Sequence, residues 1–227
     1  MKIATWNLER PNKFTKRNRE IVDCLEEVNA DILILTESNE IINFGENYNN
    51  YHSSKLEETY YKEGERRVSI YSKYNAIEHL ETFRSETSIC VKFKTPLGDL
   101  TVYGTVIGIH GNRRASFMED LNLQLADFER IGRIENLCIA GDFNISFSDN
   151  YYFTQEGRIK LINSFTKLDL LNVTANIPNN IDHIVLPINY VNARPLKIQT
   201  WNVDKMLSDH IGVAVEILDS GVVRPSL

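Results

Sequence analysis

The sequence predicts one α/β domain built on a mixed sheet or on two packed sheets. Three observations lead there. Hairpin-type connections alternate along the chain with strand-helix-strand units, an order that a purely parallel sheet does not produce. Two strand candidates, 31–36 and 137–140, are apolar almost throughout, as strands buried on both faces are. The 227 residues contain no repeat, low-complexity tract or Pro/Gly/Ser-rich linker, so the whole of 1–227 reads as a single domain. A chain of that length buries most of its unfolded surface.

The elements follow in order. Lys2 to Trp6 reads as a short first strand, and Phe14, Ile21, Val22, Leu25 and Val28 give helical spacing over 13–28. Asp31 to Thr36 is the first buried strand; the Asn-rich stretch 39–50, with Gly45, reads as loop. Val68 to Ser72, Thr87 to Lys94 and Leu100 to Ile109 are further strands, the last two joined through Thr95-Pro96-Leu97-Gly98-Asp99 as a hairpin. Leu121, Leu125 and Phe128 restore helical spacing over 117–131, Leu137 to Ala140 is the second buried strand, and 159–168 reads as helix. Asp182 to Leu186, Lys197 to Trp201 and Ile211 to Leu218 close the chain as strands.

Composition narrows the function. Hydrophobic residues make up 42% and charged residues 25%, the balance of a soluble globular protein. No apolar run reaches the roughly 20 residues that cross a bilayer, and the N-terminus turns polar too soon for a signal peptide, so a cytoplasmic protein without a membrane segment is expected. Cys24, Cys90 and Cys138 sit in apolar settings with no C-x-x-C pair, which fits buried small hydrophobes in a reducing compartment. A formal net charge of -6 argues against a passive nucleic-acid coat. It leaves room for an enzyme on phosphates, because metal ions cancel carboxylate charge where substrate sits. Nothing in the sequence points to a protein partner.

The candidate functional residues are polar groups at strand ends: Asn7, Glu37, Asp142 with Asn144, Asp182 with His183, Asp209 with His210, and His110. Each has a structural reading of its own: Asn7 as a turn cap, Glu37 as a loop carboxylate, Asp142 as a turn residue after Gly141, His110 as a surface histidine. His183 reads as structural more than catalytic. Together they have the chemistry of a phosphate site. Glu37, Asp209 and the Asn7 amide oxygen are hard donors of the kind magnesium takes, and Asp142 with two histidines supplies a base and hydrogen-bonding groups. The basic groups Lys13, Lys16, Arg17 and Arg19, then Arg66 and Arg67 ahead of a strand, read as solvated faces. Arg113 and Arg114, close to His110, are the best candidates for phosphate contact. Tyr60, Tyr61, Tyr151 and Tyr152 fit base stacking or packing equally well.

Six strings in order carry a family resemblance: Thr5-Trp6-Asn7-Leu8-Glu9, Leu35-Thr36-Glu37, Ile109-His110, Gly141-Asp142-Phe143-Asn144, Ile181-Asp182-His183-Ile184 and Ser208-Asp209-His210. They span nearly the whole chain, which resembles the endonuclease/exonuclease/phosphatase superfamily, the deoxyribonuclease I-like fold. That superfamily includes deoxyribonuclease I, exonuclease III, abasic-site endonucleases, deadenylases, inositol polyphosphate 5-phosphatases and neutral sphingomyelinases. The resemblance implies a four-layer α/β sandwich, with two mixed β-sheets packed face to face, helices outside and the site at the strand ends along one edge. It implies a divalent-metal-dependent phosphodiester hydrolase, using magnesium or manganese in its place, with nucleic acid as the expected substrate. The alternatives are a phosphatase or phosphodiesterase on a lipid, inositol phosphate or nucleotide, and a catalytically silent binding module.

Residue by residue, Glu37 resembles the principal metal-binding glutamate, with Asn7 beside metal and phosphate. Asp142 resembles the aspartate that orients or deprotonates the attacking water, and Asn144 the amide that holds the phosphate. His210 resembles the histidine on a non-bridging oxygen, oriented by Asp182. Asp209 resembles a carboxylate at a second metal position or on metal-bound water, and His110 a group that stabilises the leaving oxygen. The match departs from abasic-site enzymes at Thr36 before Glu37, Ser38-Asn39 after it, Gly108-Ile109-His110-Gly111-Asn112 and Phe143. Abasic-site repair is therefore not the expected activity.

Overall fold

In a computed structural model, which describes residues 1–55, 61–108, 115–192 and 194–218, the chain forms two six-stranded mixed sheets. The first sheet contains β1 (Lys2–Asn7), β2 (Ile32–Asn39), β3 (Asn49–His52), β4 (Glu65–Ser72), β11 (Leu196–Trp201) and β12 (Gly212–Ile217), in the order β11-β12-β1-β2-β4-β3. The second contains β5 (Ala76–Leu80), β6 (Ser88–Thr95), β7 (Gly98–Val106), β8 (Leu137–Asp142), β9 (Leu170–Asn172) and β10 (Asp182–Pro187), in the order β5-β6-β7-β8-β10-β9. Each sheet has one parallel pair at its centre, β1/β2 and β7/β8, joined through α1 (Lys16–Val28) and α2 (Ala115–Gly132) respectively. Parallel neighbours need such a crossover, whereas the antiparallel pairs β3–β4, β5–β6, β6–β7, β9–β10 and β11–β12 close through shorter connections. α3 (Gln155–Lys167) follows β8, and a short α4 (Ile188–Val191) follows β10.

The apolar side chains sort into the expected four layers. Ile3, Ile34, Ile70, Val102, Cys138, Ile184 and Val213 form the core between the sheets. Ile21, Leu25 and Val28 of α1 cover the outer face of the first sheet against Trp6, Leu33 and Leu35. Phe117, Leu121 and Phe128 of α2, with Leu161 and Phe165 of α3, cover the second sheet against Tyr103 and Ile139. α1 starts at Lys16, because the Thr15 side chain accepts a hydrogen bond from the Asn18 amide and caps the first turn.

The strand alternation positions the site. On β1 the residues facing the second sheet are Ile3, Thr5 and Asn7; on β8 they are Cys138, Ala140 and Asp142; on β10 they are Leu186, Ile184 and Asp182. Each inward row thus ends in an amide or carboxylate side chain at the same edge of the sandwich. β1 packs against β8 and β10, so those three ends meet.

Candidate active site

Asp142 and Asp182 stand directly opposite each other in the antiparallel β8–β10 pairing, and both are buried. Asp142 Oδ2 accepts from Asn7 Nδ2 at 3.1 Å and from Asn144 Nδ2 at 3.4 Å, while its Oδ1 accepts from the Asn144 amide at 2.8 Å. Burial pushes its carboxyl up to about 7; His210 opposes the rise and Asp182 adds to it. The residue before it has to be glycine. Gly141 has φ +140°, and a Cβ there would lie 1.9 Å from the Thr105 carbonyl oxygen of the neighbouring β7. Asn144 itself adopts a left-handed backbone (φ +51°) and donates its side-chain amide to the Ile107 carbonyl at 3.1 Å.

His210 completes this half of the site from the other sheet. Its Nδ1 donates to Asp182 Oδ2 at 2.6 Å, and its Nε2 lies 3.7 Å from Asp209 Oδ1. Burial alone lowers the imidazole pKa, but Asp182, Asp142 and Asp209 outweigh it and raise it to about 10, so His210 is an imidazolium at neutral pH. The loop that carries it is tied down on several sides. Trp6 Nε1 donates to the His210 carbonyl at 3.0 Å, Ser208 Oγ donates to the Asn7 carbonyl at 2.6 Å, and Asn202 Nδ2 donates to the carbonyls of Ser208 and His210 at 2.7 Å each. Asp209 remains largely exposed beside it.

Glu37 lies across the cleft near the end of β2, in a left-handed backbone conformation (φ +44°) that a glutamate rarely takes. Strained backbone of this kind concentrates at functional positions. Its carboxylate is mostly buried, which raises its pKa, and Arg67, His210 and Arg10 oppose that rise. Arg67 Nη1 donates to Glu37 Oε1 at 3.1 Å. This contact corrects the sequence expectation: Arg66 and Arg67 lie inside β4, not ahead of a strand, and the Arg67 side chain is only 6% exposed. Alternation along β4 does not single it out, since Val68 and Ile70, two and four residues after Arg66, are as buried as Ser69 and Tyr71 after Arg67.

The site therefore gathers Asn7, Glu37, Asp142, Asn144, Asp182, Asp209 and His210. His110, Arg113, Arg114 and Tyr60 lie outside the described residues. His183 points to the other face of β10, fully buried, with Nε2 donating to the Ile145 carbonyl at 2.9 Å and Nδ1 against Thr174 Oγ1 at 3.2 Å; burial drives its pKa down to about 3. Next to His210, a cavity of about 260 Å³ is lined by Asn144, Tyr151, Tyr152, Asp182, Lys205 and Asp209 among others. Tyr151 and Lys205 also line a wider space of about 600 Å³ with apolar walls from Ile177, Pro178 and Val203. Lys205 Nζ donates to Tyr151 Oη at 2.9 Å and lies over the Tyr151 ring at 4.7 Å, so this paired ring and cation face both cavities.

The donors fit a hydrated hard cation. Among the described residues no three His, Cys, Asp or Glu side chains converge as a cage. Arg67 engages one oxygen of Glu37, Asp209 keeps an exposed carboxylate, and the Asn7 amide oxygen, which accepts from the Glu9 amide at 2.9 Å, has a second lone pair, so the available donors are all oxygens. One or two carboxylates suit magnesium, which keeps several of its waters.

The model of the endonuclease/exonuclease/phosphatase family matches residues 4–215. The chain belongs to that family. No curated protein matches the sequence. Among solved structures the fold is similar to the endonuclease domain of TRAS1, a telomere-specific non-LTR retrotransposon (TM-score 0.69, 14% identity, covering 96% of this chain and 98% of that one). It is equally similar to an AP endonuclease from Archaeoglobus fulgidus (TM-score 0.70, 14% identity, 96% and 99% covered). The 3' phosphatase NExo from Neisseria, bound to a product DNA hairpin, also matches (TM-score 0.67, 16% identity, 96% and 99% covered). At these identities the likeness concerns the fold, the two-sheet α/β sandwich expected of the family. Of the described residues, no helix is long and apolar enough to cross a membrane.

Proposed function

We propose that this family member is a divalent-metal-dependent phosphodiester hydrolase acting on DNA or RNA. The observation that carries the reading is the convergence of two opposed buried carboxylates, Asp142 and Asp182, on one imidazolium, His210, with Asn7 and Asn144 bracketing Asp142. Asp142 is the base: its carboxyl, lifted to about 7, is matched to taking a proton from water at neutral pH. The water oxygen then attacks phosphorus as the bond to the leaving oxygen breaks. Asn7 and Asn144 hold the Asp142 carboxylate for that transfer. His210, fixed through Nδ1 by Asp182, presents Nε2–H to a non-bridging phosphate oxygen, where negative charge builds up in the transition state. A magnesium ion, or manganese in its place, held by Glu37 with Asn7 and Asp209, would add positive charge against the same oxygens.

Nucleic acid is favoured as substrate by the TRAS1, AP endonuclease and NExo likenesses. The cavity that leads from His210 past Tyr151 and Lys205, a ring and a cation, supports the same choice. The test is a panel of labelled single-stranded, double-stranded and abasic DNA, RNA and small phosphate esters, each with magnesium and with chelator. Magnesium-dependent cleavage of a polynucleotide is expected. Turnover of small phosphate esters alone would make the protein a phosphatase instead. Turnover no greater than that of His210→Ala on every substrate would make it a silent binding module.

A further inference from the structure

Arg67 does more than pack. It enters from β4, opposite Glu37 across the β2–β4 pairing, between the registered pairs Thr36–Val68 and Ser38–Arg66. Nη1 donates to Glu37 Oε1 at 3.1 Å, Nη2 donates to the Tyr61 hydroxyl, and the guanidinium carbon lies 4.8 Å from the centre of the Tyr61 ring. The same ring carries a second guanidinium, that of Arg10, at 5.0 Å, and Arg10 Nε donates to the buried Glu65 at 2.5 Å. Glu65 in turn accepts from the Lys62 amide at 3.1 Å. Glu37 thus faces a built, charge-compensated cluster. Arg10 is matched to Glu65, and Arg67 is matched to the carboxylate on which a divalent cation is expected. Arg67 Nε is buried with no hydrogen-bond partner among the described residues. Glu37 takes an Nη1 donor and Tyr61 an Nη2 donor, and among the described residues no second acidic group shares its charge at hydrogen-bond distance.

A carboxylate neutralised by a buried guanidinium has less charge to offer a metal, and a fixed cation about 4 Å away repels a second one through a low-dielectric path. We propose that Arg67 is the resident counter-ion of Glu37, a positioning residue that holds the strained glutamate in place and sets a low affinity of the free protein for divalent metal. Metal binding has to share or displace this ion pair. The site then fills more readily when a substrate phosphate adds negative charge to the cleft. The inference rests on the reading of Glu37 as the metal carboxylate.

The experiment is calorimetric titration of the free protein with manganese chloride alone, for wild type, Arg67→Met, Arg67→Lys and Glu37→Gln, each first checked by thermal melting without metal. Arg67→Met is expected to bind manganese on the order of tenfold more tightly, and Arg67→Lys, which keeps the charge, to stay within about threefold of wild type. Equal or weaker binding by a folded Arg67→Met overturns the proposal. Should Arg67→Met fail to fold, magnesium titration of wild type observed through ¹⁵N arginine side-chain resonances, assigned with Arg67→Lys, decides. A shift of the Arg67 guanidinium on metal binding supports the shared ion pair, and an unmoved signal refutes it. Glu37→Gln separates the two levels. If it binds manganese as wild type does, the assignment of Glu37 fails. If it loses binding while Arg67→Met is unchanged, only the counter-ion role fails.

Discussion

The two sheets make unlike contributions to one site. The second sheet brings two buried acids, Asp142 and Asp182, which face each other at the end of β8 and β10 almost without solvent. The first sheet brings their compensation, His210 from the loop before β12 and the Asn7 amide at the end of β1, together with an acid of its own, Glu37 on β2, matched by Arg67 on β4. Paired buried carboxylates alone are costly. They persist here because the sheet packing places an imidazolium and an amide against them. The lesson is that the geometry of the candidate site and the sheet–sheet interface are the same structure. Weakening one half should therefore show in the other, and replacing a bare acid should separate activity from stability.

The largest effect is expected at Asp142, the acid proposed as the base. Asp142→Asn keeps the size of the side chain and an oxygen for the Asn144 amide but removes the base, so magnesium-dependent cleavage should fall by roughly 10³–10⁴-fold. The thermal midpoint should stay the same or rise, because a buried carboxylate beside Asp182 has been neutralised. Melting curves and single-turnover rates on the same preparation check both halves. A variant that loses stability together with activity would break the comparison, since Asp142 would then be a structural member of the cluster.

The next effect should come from the compensating side. His210→Ala leaves Asp142 and Asp182 facing each other without the imidazolium, and unfolding in urea at neutral pH should show a loss of about 3 kcal/mol. Adding Asp182→Asn to His210→Ala should recover part of that loss, whereas Asp182→Asn alone should not stabilise. Additive single and double variants would mean that the two groups do not depend on each other, contrary to the 2.6 Å contact.

Much of the fold and most of the site are legible in the sequence, for physical reasons. The inward rows Ile3-Thr5-Asn7 and Cys138-Ala140-Asp142 are apolar strands that end in polarity, a pattern visible as a polar string after a hydrophobic run. β3, β5 and β9 carry no such signal, and 49–50 reads as loop although it begins β3. These strands lie at the sheet edges: most side chains of β5 are exposed, and none of those in β3 is fully buried. Their conformation is set by hydrogen bonds to a neighbour and hardly at all by an apolar alternation of their own. Periodicity starts the first helix at Lys13, ahead of its observed start at Lys16, because the Thr15 cap carries less weight in such a pattern than Phe14, which is exposed. Arg67 escapes for a related reason. An arginine next to another arginine reads as a wet surface, and only the pairing of β2 with β4 brings it to Glu37.

The smallest expected effect belongs to His183, and it tests whether the outer face of β10 behaves differently from the inner one. His183 is fully buried among Ile145, Thr174 and the rings of Phe143 and Phe147, and its pKa is depressed by that burial to about 3. The unfolded chain, with an ordinary histidine near pH ~6.5, binds the proton that the folded chain refuses. Its contribution is therefore fully present above about pH 6.5 and is lost as pH falls toward 3, at about 1 kcal/mol per pH unit. His183→Gln, which keeps a donor for the Ile145 carbonyl, should flatten the acid side of the stability curve by that slope while leaving the cleavage rate at neutral pH within about twofold. Urea unfolding between about pH 6.5 and 4 on both proteins gives the difference directly. Parallel curves would mean that His183 accepts a proton in the folded state, and both faces of β10 would then meet a charged histidine, His183 on the outer face and His210 against Asp182 on the inner one.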